Sequence, residues 1–260
     1  MANHIVRTEQ LSSGILQITL SRPEALNALN TELMEALLQH LVAAKDNAAV
    51  KAILLTGENK AFCAGADIHQ LEKLDAHSGE AFARRGQALF RYLEQLGKPS
   101  LAAINGFAMG GGCELAMAAT MRIAVAHAQF AQPEVKLGVI PGFGGTQRLA
   151  RLVGKGRALE LCLTARTLKA EEALQWGLIS EITTAENLLL RAREILEKLC
   201  QLAPLALKSV MTVVDHGFDL PLDDALAFEA LHFGLCCGTH DKNIGVKAFL
   251  EKRAAVFEGS

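Results

Sequence analysis

The sequence predicts an α/β protein with mainly parallel strand pairing, followed by a helical region. Three observations lead there. Short apolar runs alternate with helix-spaced stretches through the first two-thirds of the chain, and small glycine-bearing loops follow those runs. No convincing strand follows Ile179 to Ile182, whereas 187–201, 204–216, 221–236 and 241–256 all have helical spacing.

Ile15 to Leu20 is short and apolar and closes at Arg22-Pro23, the pattern of a strand ending in a turn. From Thr31 to Lys45, Leu33, Met34, Leu37, Leu38, Leu41 and Val42 fall on one face of an amphipathic helix. Ala52 to Leu55 reads as a buried strand running into Thr56-Gly57. A helix is expected over Ser78 to Leu96, stopped by Gly97-Lys98-Pro99, with Ser100 to Ile104 as the next strand. The rhythm changes near Glu186, dividing the chain into a core, 1–186, and a helical region, 187–260. Leucines on more than one side of those helices call for packing on the core and on neighbouring subunits.

Half of the 260 residues are hydrophobic and 21% are charged, which excludes a disordered role. Lys and Arg number 26 against 28 Asp and Glu, a net charge of −2 with no basic stripe, so nucleic acid is not the expected partner. Met1 to Gln10 has neither the apolar core of a signal peptide nor the make-up of a transit peptide, so a cytoplasmic protein is expected. The most apolar stretch, Ser100 to Met121, is interrupted by Asn105, several glycines and Glu114, and reads as a buried segment rather than a membrane span. The six cysteines, at 63, 113, 162, 200, 236 and 237, make no C-x-x-C pair and no zinc-binding spacing, and read as core thiols.

The chain has no G-x-S-x-G elbow, no H-E-x-x-H and no P-loop, and Gly142-Phe143-Gly144-Gly145 does not extend to a dinucleotide fingerprint. Three small-residue loops remain: Ala61 to Ile68, Asn105 to Glu114, and Gln132 to Thr146. Gly110 to Gly112 put open backbone amides at a helix start, a place for an oxyanion, and Ala66 offers a second amide. Those glycines equally suit tight turns and close helix packing. Glu114 and Glu134 are the carboxylates of the two longer loops. Apolar residues after Glu114 would desolvate its carboxyl and raise its hold on a proton, and two such groups can share one water. The plainer readings are that Glu114 complements a helix N-terminus and that Glu134 is a solvated loop residue.

Together these loops resemble the crotonase superfamily, and within it the enoyl-CoA hydratases. The resemblance runs from Ser21-Arg22-Pro23-Glu24-Ala25-Leu26-Asn27-Ala28-Leu29 to the end of the chain. Its specific parts are AFCAGADI (Ala61 to Ile68), NGFAMGGGCEL (Asn105 to Leu115), AQFAQPE (Ala128 to Glu134), GVIPGFGGTQR (Gly138 to Arg148) and AFLEKR (Ala248 to Arg253). It implies a spiral of ββα units followed by a C-terminal helical trimerisation region, with a homotrimer or a dimer of trimers as the assembly. It also implies oxyanion-hole amides at Ala66 and Gly111, catalytic carboxylates at Glu114 and Glu134, and a water-positioning backbone at Gly142. By the same resemblance Ala64, Ala66, Asp67, Ile68 and His69 line the CoA adenine and pantetheine, and Phe249 and Lys252 match positions that reach a CoA site, in some members a neighbour's. The implied reaction is hydration of a trans-2-enoyl-CoA to the 3-hydroxyacyl-CoA, with no metal and no redox cofactor. Its rivals are double-bond isomerisation, which often retains only one of the two carboxylates, and non-catalytic RNA binding. Three places depart from the family pattern: Phe143 where a small residue is common, Ala131 in place of a glycine, and Asp241-Lys242-Asn243-Ile244.

Overall fold

The computed structural model describes residues 5–260, so the part of the leader reading that rests on residues 1–4 lies outside the described residues. The first strands, β1 (Val6–Gln10) and β2 (Ile15–Leu20), pair antiparallel. Helix α1 (Thr31–Asp46) starts where the Asn30 side chain accepts from the Leu33 amide at 2.8 Å, and buries Leu33, Met34, Leu37 and Leu41. Val42, expected on that face, lies at its edge and is 47% exposed.

A repeat of two strands and a helix follows. The first has β3 (Ala52–Gly57), β4 (Ala61–Cys63), the single turn α2 (Ile68–Leu71) and α3 (Ala76–Glu94). The second has β5 (Ser100–Ile104), β6 (Phe107–Met109) and α4 (Gly111–Ala118). The third has β7 (Met121–Val125), β8 (Gln129–Ala131), a 3₁₀ turn (Glu134–Leu137) and α5 (Gly145–Val153). Then come α6 (Lys155–Thr164), β9 (Leu168–Lys169), α7 (Ala170–Trp176) and β10 (Glu181–Thr183). The chain closes with α8 (Leu188–Cys200), α9 (Pro204–Gly217), α10 (Leu222–Cys237) and α11 (His240–Leu250).

The first strand of each repeat enters a six-stranded sheet ordered β1-β2-β3-β5-β7-β10, parallel beyond β2. The second strand of each enters a smaller sheet ordered β4-β6-β8-β9. Each repeat advances both sheets by one position, which is the spiral of ββα units expected. Loops after strand ends are thereby stacked, and that stacking brings the 65, 110 and 134 regions together.

Helix α4 is buried along its whole length and packs against α3, α5, β4, β6 and β7. At its start a Cβ on Gly112 would collide with the Cys63 carbonyl, so only glycine lets the helix seat on β4.

The helical region is two things. Helix α8 lies on β2, β3, β5 and β7, with Leu188, Ala192 and Leu196 buried, and therefore belongs to the core layer although it follows residue 186. Helices α9 and α10 pack on each other and bury no residue completely, leaving Val210, Val214, Leu222, Leu231 and Phe233 more than half exposed. The last helix stops at Leu250, short of the expected 256, where Lys252 takes a left-handed φ of 53°. Beyond it the tail turns back. Asp241, 1% exposed, accepts from the Glu258 and Gly259 amides at 2.7 and 2.9 Å and donates its own amide to the Ser260 carbonyl. The atypical 241–244 stretch thus anchors the C-terminus. Asp241→Ala should cost about 1–3 kcal/mol in unfolding and expose residues 254–260 to carboxypeptidase, with the core fold unchanged; an unaltered cleavage rate would refute the anchor. No helix among the described residues is long and apolar enough to cross a membrane.

Candidate active site

The loop after β4 is set by a buried polar knot. Asn27, with a left-handed φ of 60° and no exposure, accepts from the Arg22 amide at 2.9 Å and donates to the Glu58 and Ala61 carbonyls. Arg22 in turn donates to the Ala28 carbonyl at 2.7 Å and to the Asp67 carboxylate at 3.1 Å. A single parallel bridge joins Leu29 to Ala66: Leu29 N–H donates to Gly65 C=O at 2.7 Å, and Asp67 N–H donates to Leu29 C=O at 2.9 Å. In such a bridge the N–H of the paired residue points the other way. The Ala66 amide therefore faces away from residue 29.

Its neighbour Gly65 lies against the start of α4. Gly65 has φ +109°, and a Cβ there would lie 3.0 Å from the Met109 carbonyl and 3.7 Å from the Gly111 amide nitrogen. Gly111 is the first residue of α4, so its N–H has no partner within the helix and sits at the positive end of the helix dipole. The loop at Gly65 and the start of α4 at Gly111 are thus in close contact. Gly110 turns the chain into the helix with φ +46°, its amide donating to the Ala131 carbonyl at 2.8 Å. Ala131 fits here because only its backbone is used.

Both acids touch that glycine, Glu114 through its backbone and Glu134 through its carboxyl. Glu114 N–H donates to the Gly110 carbonyl at 2.9 Å, while the Glu134 carboxyl lies over the Gly110 Cα, where a Cβ would collide with Oε1. Glu114 is 1% exposed. Its Oε1 accepts from the Phe143 amide at 2.9 Å and the Gly145 amide at 2.6 Å, so it does complement a helix N-terminus, that of α5 and not its own. Burial, then the charge of Glu134, push the Glu114 carboxyl up to about 7, against those amides and Arg148, which favour its charged form. Burial raises Glu134 to about 7 as well, and its Oε2 is enclosed without a hydrogen-bond partner among the described residues. Glu134 is thus no solvated loop residue. The structure leaves one oxygen of each acid unengaged by the described protein groups. Gln132, fully buried, sits beside them: its Oε1 and the Glu114 Oε1 are each 2.8 Å from where a Gly145 Cβ would be.

The remaining sequence candidates divide. Gly142 lies in the same loop, its carbonyl accepting from the Gln87 side chain at 2.8 Å, which leaves its N–H for any water-holding role. Asp67 and His69 line a crevice of about 320 Å³ with Asn30, Thr31, Lys73 and Phe82. The Asp67 carboxylate itself is engaged, bonded to Arg22 and capping α2 through the His69 amide. Burial acts to raise it, but the Arg22 hydrogen bond and the His69 amide win and hold it below its ordinary value. Ala64 is half-buried beside the crevice loop and Ile68 is 55% exposed. Phe249, 83% exposed, and Lys252 are at the end of α11 and do not line that crevice.

Sequence reasoning assigned no role to the Phe143 and Gly145 amides, nor to Arg148 and Glu94, which hold the 142–145 loop. Arg148 lay within a quoted motif. Glu94 carried no local signal, being one acid among many on a helix. The Phe143 ring, 3% exposed, packs edge-on to Phe82 and Phe90 and close to Gly111, and a Cβ on Gly86 would collide with it. Among the described residues no group of three or more His, Cys, Asp or Glu converges as metal ligands would.

Comparison with known proteins agrees with this geometry. The profile of the Enoyl-CoA hydratase/isomerase family matches residues 10–260. The chain is 45% identical over 237 residues to a short-chain-enoyl-CoA hydratase of Clostridium acetobutylicum, covering 91% of each chain. It is 44% identical over 239 residues to a crotonyl-CoA hydratase of Syntrophomonas wolfei, covering 92% of each. Its structure superposes on the crystal structure of an enoyl-CoA hydratase from Bacillus anthracis with a TM-score of 0.95 at 34% identity, covering 99% of this chain and 100% of that one.

Proposed function

The chain belongs to the enoyl-CoA hydratase/isomerase family and is an enoyl-CoA hydratase, and from that premise we propose how its residues divide the work. The thioester carbonyl of a trans-2-enoyl-CoA accepts from the Ala66 and Gly111 amides. Glu114, ionised, takes a proton from a water whose oxygen bonds to C3, with the Gly142 N–H helping to hold that water. The C2–C3 π electrons move onto the thioester, and the enolate-like oxygen that results is what the two amides stabilise, each by about 3 kcal/mol. Glu134, protonated, delivers its proton to C2. A proton then passes from Glu114 to Glu134 and restores the pair.

The observation that supports this best is a pair of carboxyls that sense each other, Glu114 and Glu134, both raised to about 7, beside the glycine-rich start of α4. An acid and a base near neutrality are what addition of water across a double bond requires. Isomerisation needs a single acid–base group to move one proton, so the second raised carboxylate favours hydration. The decisive experiment offers 2-enoyl and 3-enoyl thioesters in ¹⁸O-water. Label at C3 supports hydration, and a shift of the double bond without label supports the isomerase.

The acyl chain proposed is short. Phe143 and Leu29 close the space beyond Gly111, and Phe82 joins that wall to the crevice at Asp67. Phe143→Leu should raise kcat/KM for an eight-carbon relative to a four-carbon enoyl-CoA by about 10-fold, read in a chain-length series; an unchanged ratio would remove Phe143 from the wall. The CoA portion is placed along Ala64, Ile68 and His69, with Phe249 and Lys252 serving a neighbouring subunit's site. The exposed apolar residues of α9, α10 and α11 support a trimer-based assembly. The proposed enzyme works in the cytoplasm, without metal or redox cofactor and without nucleic acid.

A further inference from the structure

Glu114 is only as well placed as the loop whose amides hold it, and that loop has a side-chain fastening of its own. Arg148 of α5 donates from Nη1 to the Phe143 carbonyl at 2.8 Å. Its other face meets Glu94 of α3 in a two-point pair, Nε to Oε1 at 2.5 Å and Nη2 to Oε2 at 3.0 Å. The two side chains are 16% and 17% exposed, and the guanidinium carbon stands 5.9 Å from the Phe90 ring centroid. Gly144, with φ +108°, lies directly under the guanidinium, where a Cβ would collide with Nη1. One residue therefore links both ends. The Phe143 carbonyl is held by Arg148, and the Phe143 amide holds Glu114.

We propose that the Glu94–Arg148 pair is a positioning clamp for the hydration reaction, fixing the 142–145 loop so that the Phe143 and Gly145 amides aim Glu114 at the attacking water. This rests on the assignment of Glu114 as the base. A half-buried, two-point guanidinium–carboxylate pair fixes orientation in a way a lysine cannot. It also brings a charge towards Glu114.

The ionisable groups around Glu114 are few. Glu134 faces it from the 134–137 turn and Arg148 from α5, while Cys63 of β4, its neighbour Cys113 and Cys162 of α6 are thiols that burial keeps neutral. Behind Arg148 stand Glu94 and then Arg91, itself paired with Asp215 of α9 at 2.7 Å. Arg148 favours the ionised base, and Glu94 offsets Arg148. Removing one or the other must move the titration of Glu114 in opposite directions.

The test measures kcat and KM for crotonyl-CoA against pH in Arg148→Gln, Arg148→Lys, Glu94→Gln and the reference Glu114→Gln, with a thermal unfolding midpoint for each. Arg148→Gln is expected to lose about 10²-fold in kcat with KM little changed. Its acid limb should move to higher pH, that of Glu94→Gln to lower pH, and Arg148→Lys should recover the limb but not the rate. Limbs that stay in place, or that move the same way in both variants, would overturn the clamp. If Arg148→Gln does not fold, the direction of the Glu94→Gln limb decides alone. Loss of hydration in Glu114→Gln together with unshifted limbs sinks the clamp and leaves the base assignment standing. Hydration that survives Glu114→Gln sinks the base assignment and the clamp with it.

Discussion

Glu114→Gln and Glu134→Gln should each lose about 10³-fold or more in kcat for hydration while folding normally and binding the CoA thioester. A glutamine oxygen at 114 can still accept from the Phe143 and Gly145 amides, so the loop and the α5 start keep their places. It has no basic oxygen for the proton of water. A glutamine at 134 can still fill its site but has no acidic proton for C2. The pH profile gives a second readout. Glu114 works ionised, so activity falls as pH drops through its pKa; Glu134 works protonated, so activity falls as pH rises through its own. With both raised to about 7 and sensing each other, the wild type should show a narrow bell near neutrality whose limbs belong to the pair. In Glu134→Gln the residual activity should have its acid limb at lower pH, because the charge of Glu134 no longer raises Glu114. Near-normal turnover in either variant would cancel that residue's role.

Gly112→Ala should be the most damaging single methyl addition to the framework of the site. The new Cβ would meet the Cys63 carbonyl and carbonyl carbon and the Cys63 Cβ at once, and two of those are backbone that cannot swing away. Helix α4 would have to lift from β4, carrying Gly111 away from Ala66 and Glu114 away from the 142–145 loop. About 3 kcal/mol of lost stability is expected, with a loss of kcat larger than the unfolded fraction explains. Thermal unfolding and activity on the same sample check it. Gly156→Ala is the control: a Cβ there meets nothing within 4 Å, and it should be tolerated. Equal behaviour of the two would show that the close approach at residue 112 is not what glycine is there for.

The strands β2, β3 and β5 and the helices α1 and α3 were legible because each is five or more residues long and shows its apolar pattern within one window. The second sheet was not. Strands β4, β6, β8 and β9 are two or three residues each, too short for any period, and exist because the larger sheet sets them side by side. Helix α8 shows the same limit from the other side. Its periodicity was plain, but whether its apolar stripe meets the sheet or a second subunit is a fact about what lies opposite, and Leu188, Ala192 and Leu196 turn out to face the core. The overestimate of the last helix arose likewise, since Asp241 draws the tail back by contacts 17 and 18 residues away.

The acids and glycines of the site were visible as residue types, since Glu114 and Glu134 are the carboxylates of the two longer loops. What the string itself determined is the chemistry available: small residues that open backbone amides, and two carboxyls in apolar company. Direction was decided by the fold. That the Ala66 N–H turns away from Leu29 follows from one parallel bridge. Glu114 meets the start of α5, and Glu134 bends over Gly110, because successive ββα turns stack their loops. Hydrogen bonds and desolvation depend on distances between groups far apart along the chain, and only packing sets those distances.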